Sequence, residues 1–128
     1  MRILLDTCTF LWYCLDSPDL STYAKDLIVS PQNQPYLSAV SSWEISVKFN
    51  LKKLNLPEPP EKYIPRIRQA HRIQTLSLNE EATLCLAKLP NHHRDPFDRM
   101  LVCQSIVSGI PILTPDSAIA QYPIKTIW

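Results

Sequence analysis

Glycine is almost missing from this chain: 128 residues contain one, Gly109. A loop that wraps a nucleotide's phosphates in backbone N–H groups needs residues without a Cβ. No GxxxxGK stretch is present, which excludes a nucleoside triphosphate held in that manner. Charge of one sign is missing too, with 13 Lys+Arg against 12 Asp+Glu and a formal net charge of +1. Any contact with nucleic acid must therefore come from a local patch. No apolar run approaches the roughly 20 residues of a membrane span, and Arg2 and Asp6 interrupt the start too early for a signal peptide. The expectation is a cytoplasmic protein with no membrane partner. Cys8, Cys14, Cys85 and Cys103 lack CxxC spacing and fall in apolar stretches. That predicts reduced, buried thiols rather than a disulfide frame or zinc site, with Cys8, two residues past Asp6, open to facing a site instead. There is no internal repeat. Hydrophobic content of 45% and charged content of 20% are those of an ordinary globule, and the length fits a single domain over residues 1–128.

What the chain does have is short apolar runs that alternate with helical patterns. Ile3-Leu4-Leu5 reads as a strand buried on both faces, ending at Asp6-Thr7, either of which caps the helix that follows over Thr9 to Leu15. Ser21 caps a second helix to Val29, Pro31 and Pro35 bracket a loop, and Tyr36 to Ser38 is the next strand. Val40, Trp43, Val47, Leu51 and Leu54 recur at steps of three and four, predicting an amphipathic helix from about Ala39 to Lys53 with Ser38 as its cap. Pro65 argues for two short turns or a kinked helix between Glu61 and Arg72. Ile73 to Leu78 is a strand, and Asn79 caps a helix bearing Ala82, Cys85, Leu86 and Leu89. Asp95-Pro96 is an N-cap followed by proline at the first helical position, opening a deeply packed helix that Gly109 ends in a left-handed conformation. Ile110 to Leu113 and Lys125 to Trp128 are the last strands. The alternation implies a three-layer α/β/α fold around a mainly parallel sheet.

Four carboxylates sit where that pattern turns. Asp6 and Asp116 follow strands, Asp98 lies in the first turn of a helix, and Glu44 lies on the helix after the second strand. Taken singly, each has a plain structural explanation. Asp6 and Asp116 are helix or turn caps, Glu44 pairs with Lys48 at i,i+4, and Asp98 stands where a capping-box acid reaches back towards Asp95. Jointly, parallel strands would bring all four to the carboxyl edge of one sheet, where open α/β folds place their ligands. Such an acidic cluster repels itself and is relieved by a divalent cation. Oxygen ligands without a His or Cys triad suit Mg²⁺, with Mn²⁺ able to substitute, better than zinc. His92 and His93 are adjacent, should point apart in a polar loop, and read as loop residues within reach of a substrate phosphate.

One or two such cations commonly serve phosphoryl transfer. An extended nucleic-acid strand is the substrate class that remains. Seven of the 13 Lys+Arg (Lys48, Lys52, Lys53, Lys62, Arg66, Arg68 and Arg72) fall between Glu44 and Arg72. They form either a track for a phosphate backbone or a solvated helical face.

Ile3-Leu4-Leu5-Asp6-Thr7, Ser41-Ser42-Trp43-Glu44-Ile45, Asp95-Pro96-Phe97-Asp98-Arg99 and Leu113-Thr114-Pro115-Asp116 resemble, in order and spacing, the successive motifs of PIN-domain ribonucleases. The Trp43-Glu44-Ile45 helix followed by His93-Arg94-Asp95-Pro96-Phe97-Asp98-Arg99 is similar to the VapC-like toxin branch of toxin–antitoxin pairs. The resemblance implies a Mg²⁺-dependent endoribonuclease that cuts structured RNA such as tRNA or rRNA. It also implies a homodimer inhibited by a cognate VapB-type antitoxin. By motif position Asp6 and Asp98 would be direct or water-mediated metal ligands, and Glu44 and Asp116 would complete a catalytic quartet. Asp95, Arg99, Thr7 and Thr114 stand beside them as accessory candidates, Arg99 to pair with a carboxylate or contact RNA. Two other classes stay open: a catalytically silent PIN-like module that binds RNA or protein, and a Mg²⁺-dependent phosphoaspartate enzyme. The second lacks support from Asp6-Thr7-Cys8-Thr9, which has no second acid.

Overall fold

A computed structural model describes residues 1–128, and its backbone is organised by five short strands that pair in the order β3-β2-β1-β4-β5. These are β1 (Arg2–Leu5), β2 (Gln34–Ser38), β3 (Gln74–Leu76), β4 (Ile112–Leu113) and β5 (Thr126–Ile127). Every pairing is parallel, so the sheet is wholly rather than mainly parallel. Six helices connect and cover it: α1 (Thr7–Cys14), α2 (Thr22–Val29), α3 (Ala39–Asn50), α4 (Pro60–His71), α5 (Glu80–Cys85) and α6 (Pro96–Ser108).

The period-2 alternation of strand side chains divides the core in two. Ile3 and Leu5 of β1 face a cluster built from Phe10, Ala24, Ile28, Ile45, Tyr63, Ile64 and Ile67, the inner faces of α1 to α4. Leu4 points the other way, into a cluster with Leu101, Val102, Cys103, Ile112, Ile119 and Tyr122. The sheet is thus the middle of three layers. The chain leaves β1 to build strands on one side and returns to its other side with β4. The point where strand order reverses therefore lies between β1 and β4, the crevice where this class of sheet receives ligands.

The expected caps hold. Asp6 accepts from Thr9 N, Ser21 from Ala24 N, Ser38 from Val40 N, Asn79 from Ala82 N, and Asp95 from both Phe97 N and Asp98 N. Gly109, at φ 74°, ends α6 in the left-handed region, a backbone conformation that a side chain disfavours.

Four expectations need correction. Pro35 lies inside β2 rather than in a loop, tolerated because pairing with β3 begins one residue later, at Tyr36. The two short turns expected between Glu61 and Arg72 are instead one helix, Pro60–His71, with Pro65 inside it and Arg72 as its left-handed C-cap. Pro65 and Glu61 are both exposed, so water can satisfy the Glu61 carbonyl that loses its partner, while Tyr63, Ile64 and Ile67 anchor the opposite face in the core. The buried face of α3 is not the one that large apolar residues mark. Trp43 and Leu51 are each 59% exposed, and the inward face carries Val40, Ser41, Glu44 and Ile45. Finally, the four cysteines are free, yet only Cys103 is buried, and Cys8 is exposed.

The corrected face of α3 is testable by chemical denaturation. Ile45→Ala should cost about 2–5 kcal/mol, as deletion of a fully buried aliphatic does, and Trp43→Ala should cost less than half as much. Equal losses would restore the stripe that the hydrophobic spacing suggests.

Candidate active site

Asp6 leaves the end of β1 as the cap of α1. Its Oδ1 accepts from Thr9 N at 2.6 Å, and its Oδ2 takes a very short hydrogen bond from the Thr114 hydroxyl. Thr114 directly follows β4, and its Oγ1 also accepts from Asp116 N at 3.1 Å. One threonine therefore ties the acids at the two strand ends together across the switch point. Thr7 contributes differently, donating to Ser41 Oγ at 2.9 Å and so binding the start of α1 to α3.

Asp116 bends into its own turn, where Oδ1 accepts from Ala118 N and Ile119 N at 2.8 and 3.2 Å. Its Oδ2 lies 2.9 Å from His93 Nε2, and the same nitrogen is 3.2 Å from Asp98 Oδ2. His93, Asp98 and Asp116 each offer a ligand atom within 4.8 Å of the other two. Glu44, on the inward face of α3, gives Oε2 to Lys48 Nζ at 2.5 Å. Its Oε1 is buried with no hydrogen-bond partner. An unpaired carboxylate oxygen in such a place costs free energy that a cation or protonated group would offset.

The acids respond to this crowding unequally. Burial pushes the Asp6 carboxyl above its ordinary range, against the hydrogen bonds from Thr114 and Thr9, and the charge of Asp116 adds to the rise. Asp98 is pushed to about 7, first by burial and then by the charges of Asp95 and Glu44, with Asp6 adding and His93 opposing. Asp116 sits below its ordinary range: burial would raise it, but the bonds from His93, Ile119 N and Ala118 N outweigh that. Lys48 is raised by its bond to Glu44. Cys8, although exposed as a residue, has its thiol raised to about 11 by desolvation and then by Asp6, Asp98 and Glu44. It borders the acids as a neutral thiol, which is no ligand for a hard cation.

The sequence-derived quartet is thus gathered in one region, but not evenly. Asp6 and Asp116 are joined through Thr114, Asp116 and Asp98 through His93, and Glu44 reaches the others through its charge. Asp98 is not a capping-box acid, because the Asp95 N–H that such an acid would accept donates instead to His93 Nδ1 at 3.0 Å. Arg99 pairs with no carboxylate, since its guanidinium donates to Pro90 O and approaches Tyr122 Oη. His93 is the residue that sequence reasoning placed wrongly. His92 is an exposed loop residue stacked edge-on against Tyr122, whereas His93 turns inward between two acids. Adjacent side chains do point apart, and that rule should have sent one of the two inwards.

The basic stretch is partly spent inside the protein. Lys48 is held by Glu44, Arg66 by Glu58 at 2.5 Å, and Arg68 by the carbonyls of Leu37 and Gln74. Lys52, Lys53, Lys62 and Arg72 stay exposed.

An open parallel α/β sheet with acids converging on its switch point defines a class: a fold that gathers carboxylate oxygens at the sheet's carboxyl edge. Within that class the family is settled by sequence, because the model of the PIN domain matches residues 3–125, and the chain belongs to that family. No curated protein matches it by sequence. Among solved structures, a chain of VapBC2 from Rickettsia felis, bound to a promoter DNA fragment, superposes with a TM-score of 0.74 at 14% identity, covering 99% of this chain and 98% of that one. VapBC-1 from nontypeable Haemophilus influenzae gives 0.68 at 18% identity over 99% and 97%. FitAcB from Neisseria gonorrhoeae gives 0.64 at 17% over 98% and 96%. At these identities the likeness establishes the fold.

The unequal acids have a measurable consequence without any added ion. A carboxyl whose folded pKa is raised favours the folded state at low pH, and that contribution is lost as pH rises from about 4 to about 7. Asp98→Asn, neutral at every pH, should therefore raise Tm relative to wild type at pH 8 in chelator and leave it nearly unchanged at pH 4. A Tm difference independent of pH would show that Asp98 carries no such burden.

Proposed function

We propose that this PIN domain, spanning residues 1–128 as a single unit, is a metal-dependent endoribonuclease and the toxin of a toxin–antitoxin pair. The observation that carries the reading is the buried, partnerless Glu44 Oε1 beside Asp98, whose carboxyl burial and neighbouring acids hold near neutral. Hydrogen-bond donors of the protein satisfy Asp6 and Asp116 but leave the side of the pocket between Glu44 and Asp98 short of positive charge. Hard oxygen donors in that arrangement fit Mg²⁺ or Mn²⁺. Asp6 and Asp98 would hold the ion directly or through water, with Glu44 and Asp116 completing the charge around it. Bound there, the cation would supply charge neutralisation at a phosphate oxygen and a lowered pKa for water.

The chain's own residues set the rest of the chemistry. Thr114 and Thr9 N hold the Asp6 carboxylate in one rotamer, so its orientation costs no rearrangement when substrate arrives. Glu44, fixed on one oxygen by Lys48, presents the other towards the acids, where it can accept a proton from an attacking water. The exposed Lys52, Lys53, Lys62 and Arg72 offer phosphate contacts outside the pocket.

Structured RNA such as tRNA or rRNA is the substrate that the resemblance to VapC-like toxins implies, and the lack of a GxxxxGK loop favours an extended phosphodiester over a nucleoside triphosphate. The likeness to VapBC and FitAB complexes supports a VapB-type antitoxin as partner, and the family resemblance implies a homodimer as the working form.

Cleavage of tRNA and rRNA followed on denaturing gels tests this reading. Wild type should cut with Mg²⁺ or Mn²⁺ and not with chelator. Asp6→Asn and Asp98→Asn should fold yet lose at least about a hundredfold in rate, comparable to removing one major charge-stabilising group elsewhere. Variants that cut as fast as wild type would overturn the mechanism, and RNA binding without turnover by wild type would favour a silent binding module.

A further inference from the structure

His93 opens the His93-to-Arg99 stretch but is none of the four acids that the resemblance assigns to the site, yet its ring is half-buried between two of them. Its surroundings fix the position of its proton. The backbone N–H of Asp95 donates to Nδ1 at 3.0 Å, so Nδ1 is an acceptor and carries no hydrogen. In a neutral imidazole the hydrogen is then on Nε2. Nε2 donates to Asp116 Oδ2 at 2.9 Å and lies 3.2 Å from Asp98 Oδ2. A nitrogen that carries a hydrogen has no lone pair for a metal, and exchanging the tautomer would set an N–H on Nδ1 against the Asp95 N–H.

The loop that holds the ring is pinned as firmly. The backbone N–H groups of His92 and His93 both donate to Tyr122 Oη at 3.0 Å, and Arg99 Nη1 approaches the same oxygen at 3.3 Å while donating to Pro90 O. Tyr122 is itself buried in the core cluster beneath α6. A single phenol hydroxyl therefore sets the height of the loop, the loop sets the ring, and the ring joins an acid on α6 to an acid after β4. No other side chain bonds to both of these acids.

We propose that His93 is a positioning residue. Its Nε2–H, held through Tyr122 Oη and Asp95 N, draws the Asp98 and Asp116 carboxylates together and presets the α6 half of the cation site, without ligating the cation. The inference rests on the metal-binding reading above and names the device that brings the two halves of that site into register. Orienting partners of this kind matter because a ligand held in one rotamer loses less entropy when it binds.

Mn²⁺ binding to the full chain, measured by titration calorimetry together with electron paramagnetic resonance, tests it. His93→Ala should weaken Mn²⁺ binding by roughly 10–100-fold, the usual effect of losing an orienting partner. His93→Gln, whose side-chain amide keeps an N–H near the Nε2 position, should recover most of that loss. Tyr122→Phe, which removes only the hydroxyl, should weaken binding in the same direction. The resonance of wild type should show no coupling to a directly bound imidazole nitrogen. Wild-type affinity in His93→Ala, with Asp98→Asn binding no Mn²⁺, overturns the role of His93 alone. If His93→Ala does not fold, wild-type affinity in Tyr122→Phe overturns it instead. A nitrogen coupling in wild type with no recovery in His93→Gln makes His93 a ligand and also overturns it. No Mn²⁺ binding by wild type would remove the metal reading itself, and this role with it.

Discussion

Like charges brought within a few ångströms of one another in a partly dry crevice raise one another's pKa, and the rest of this molecule is arranged around that cost. The compensation is uneven. Asp6 receives Thr9 N and the Thr114 hydroxyl, and Asp116 receives Ala118 N, Ile119 N and His93. Glu44 receives Lys48 on one oxygen and nothing on the other. Asp98, pushed up to about 7, has only the approach of His93. The free N–H groups of the first turn of α1 and of the turn after Asp116 go to Asp6 and Asp116, whereas those of the first turn of α6, Phe97 N and Asp98 N, go to Asp95. Asp98 is therefore left without a backbone donor.

The topology makes the crowding unavoidable. Because β1 is flanked by β2 on one side and β4 on the other, residues just past β1 and β4 must meet at the same edge. The hydroxyl of Thr114, bonded to the Asp6 carboxylate and accepting from the Asp116 backbone N–H, links the two strand ends there. Glu44 enters because α3 begins straight after β2 with no intervening loop, turning its first inward-facing residues over the carboxyl edge. Val40 and Ile45 of that helix lie in different core clusters, so α3 straddles the sheet edge and cannot be shifted without disturbing both layers.

Much of this is legible in the residues. The strand exits, the caps at Asp6, Ser21, Ser38, Asn79 and Asp95, the glycine terminator and the parallel class all follow from local patterns that the tertiary structure respects. The face of α3 does not. Large apolar residues at helical spacing mark Trp43 and Leu51, but the sheet edge demands small and polar groups, Ser41 and Glu44, and tertiary geometry overrides the periodicity. His93 is hidden for a different reason. Its role is created by a backbone N–H two residues on and a tyrosine hydroxyl twenty-nine residues away, and no spacing rule reports such partners. The chain does not break into two turns at Pro65 because Glu61 and Pro65 lie on the solvent side, where water can satisfy the freed carbonyl.

Charge also orders the encounter with a polyanion. A pocket whose free side is negative repels a phosphodiester, and three of the seven cations in the basic stretch are already held by Glu44, Glu58 and backbone carbonyls. The remaining exposed lysines and Arg72 can draw an RNA strand to the surface but cannot bring its phosphate among the acids, because they lie outside them. In the nuclease reading, neutralisation of the Glu44–Asp98 side must therefore come before productive docking of the strand. In that reading the acids would do more than hold a cation: their mutual repulsion would make substrate entry conditional on one and so separate binding at the surface from reaction in the crevice.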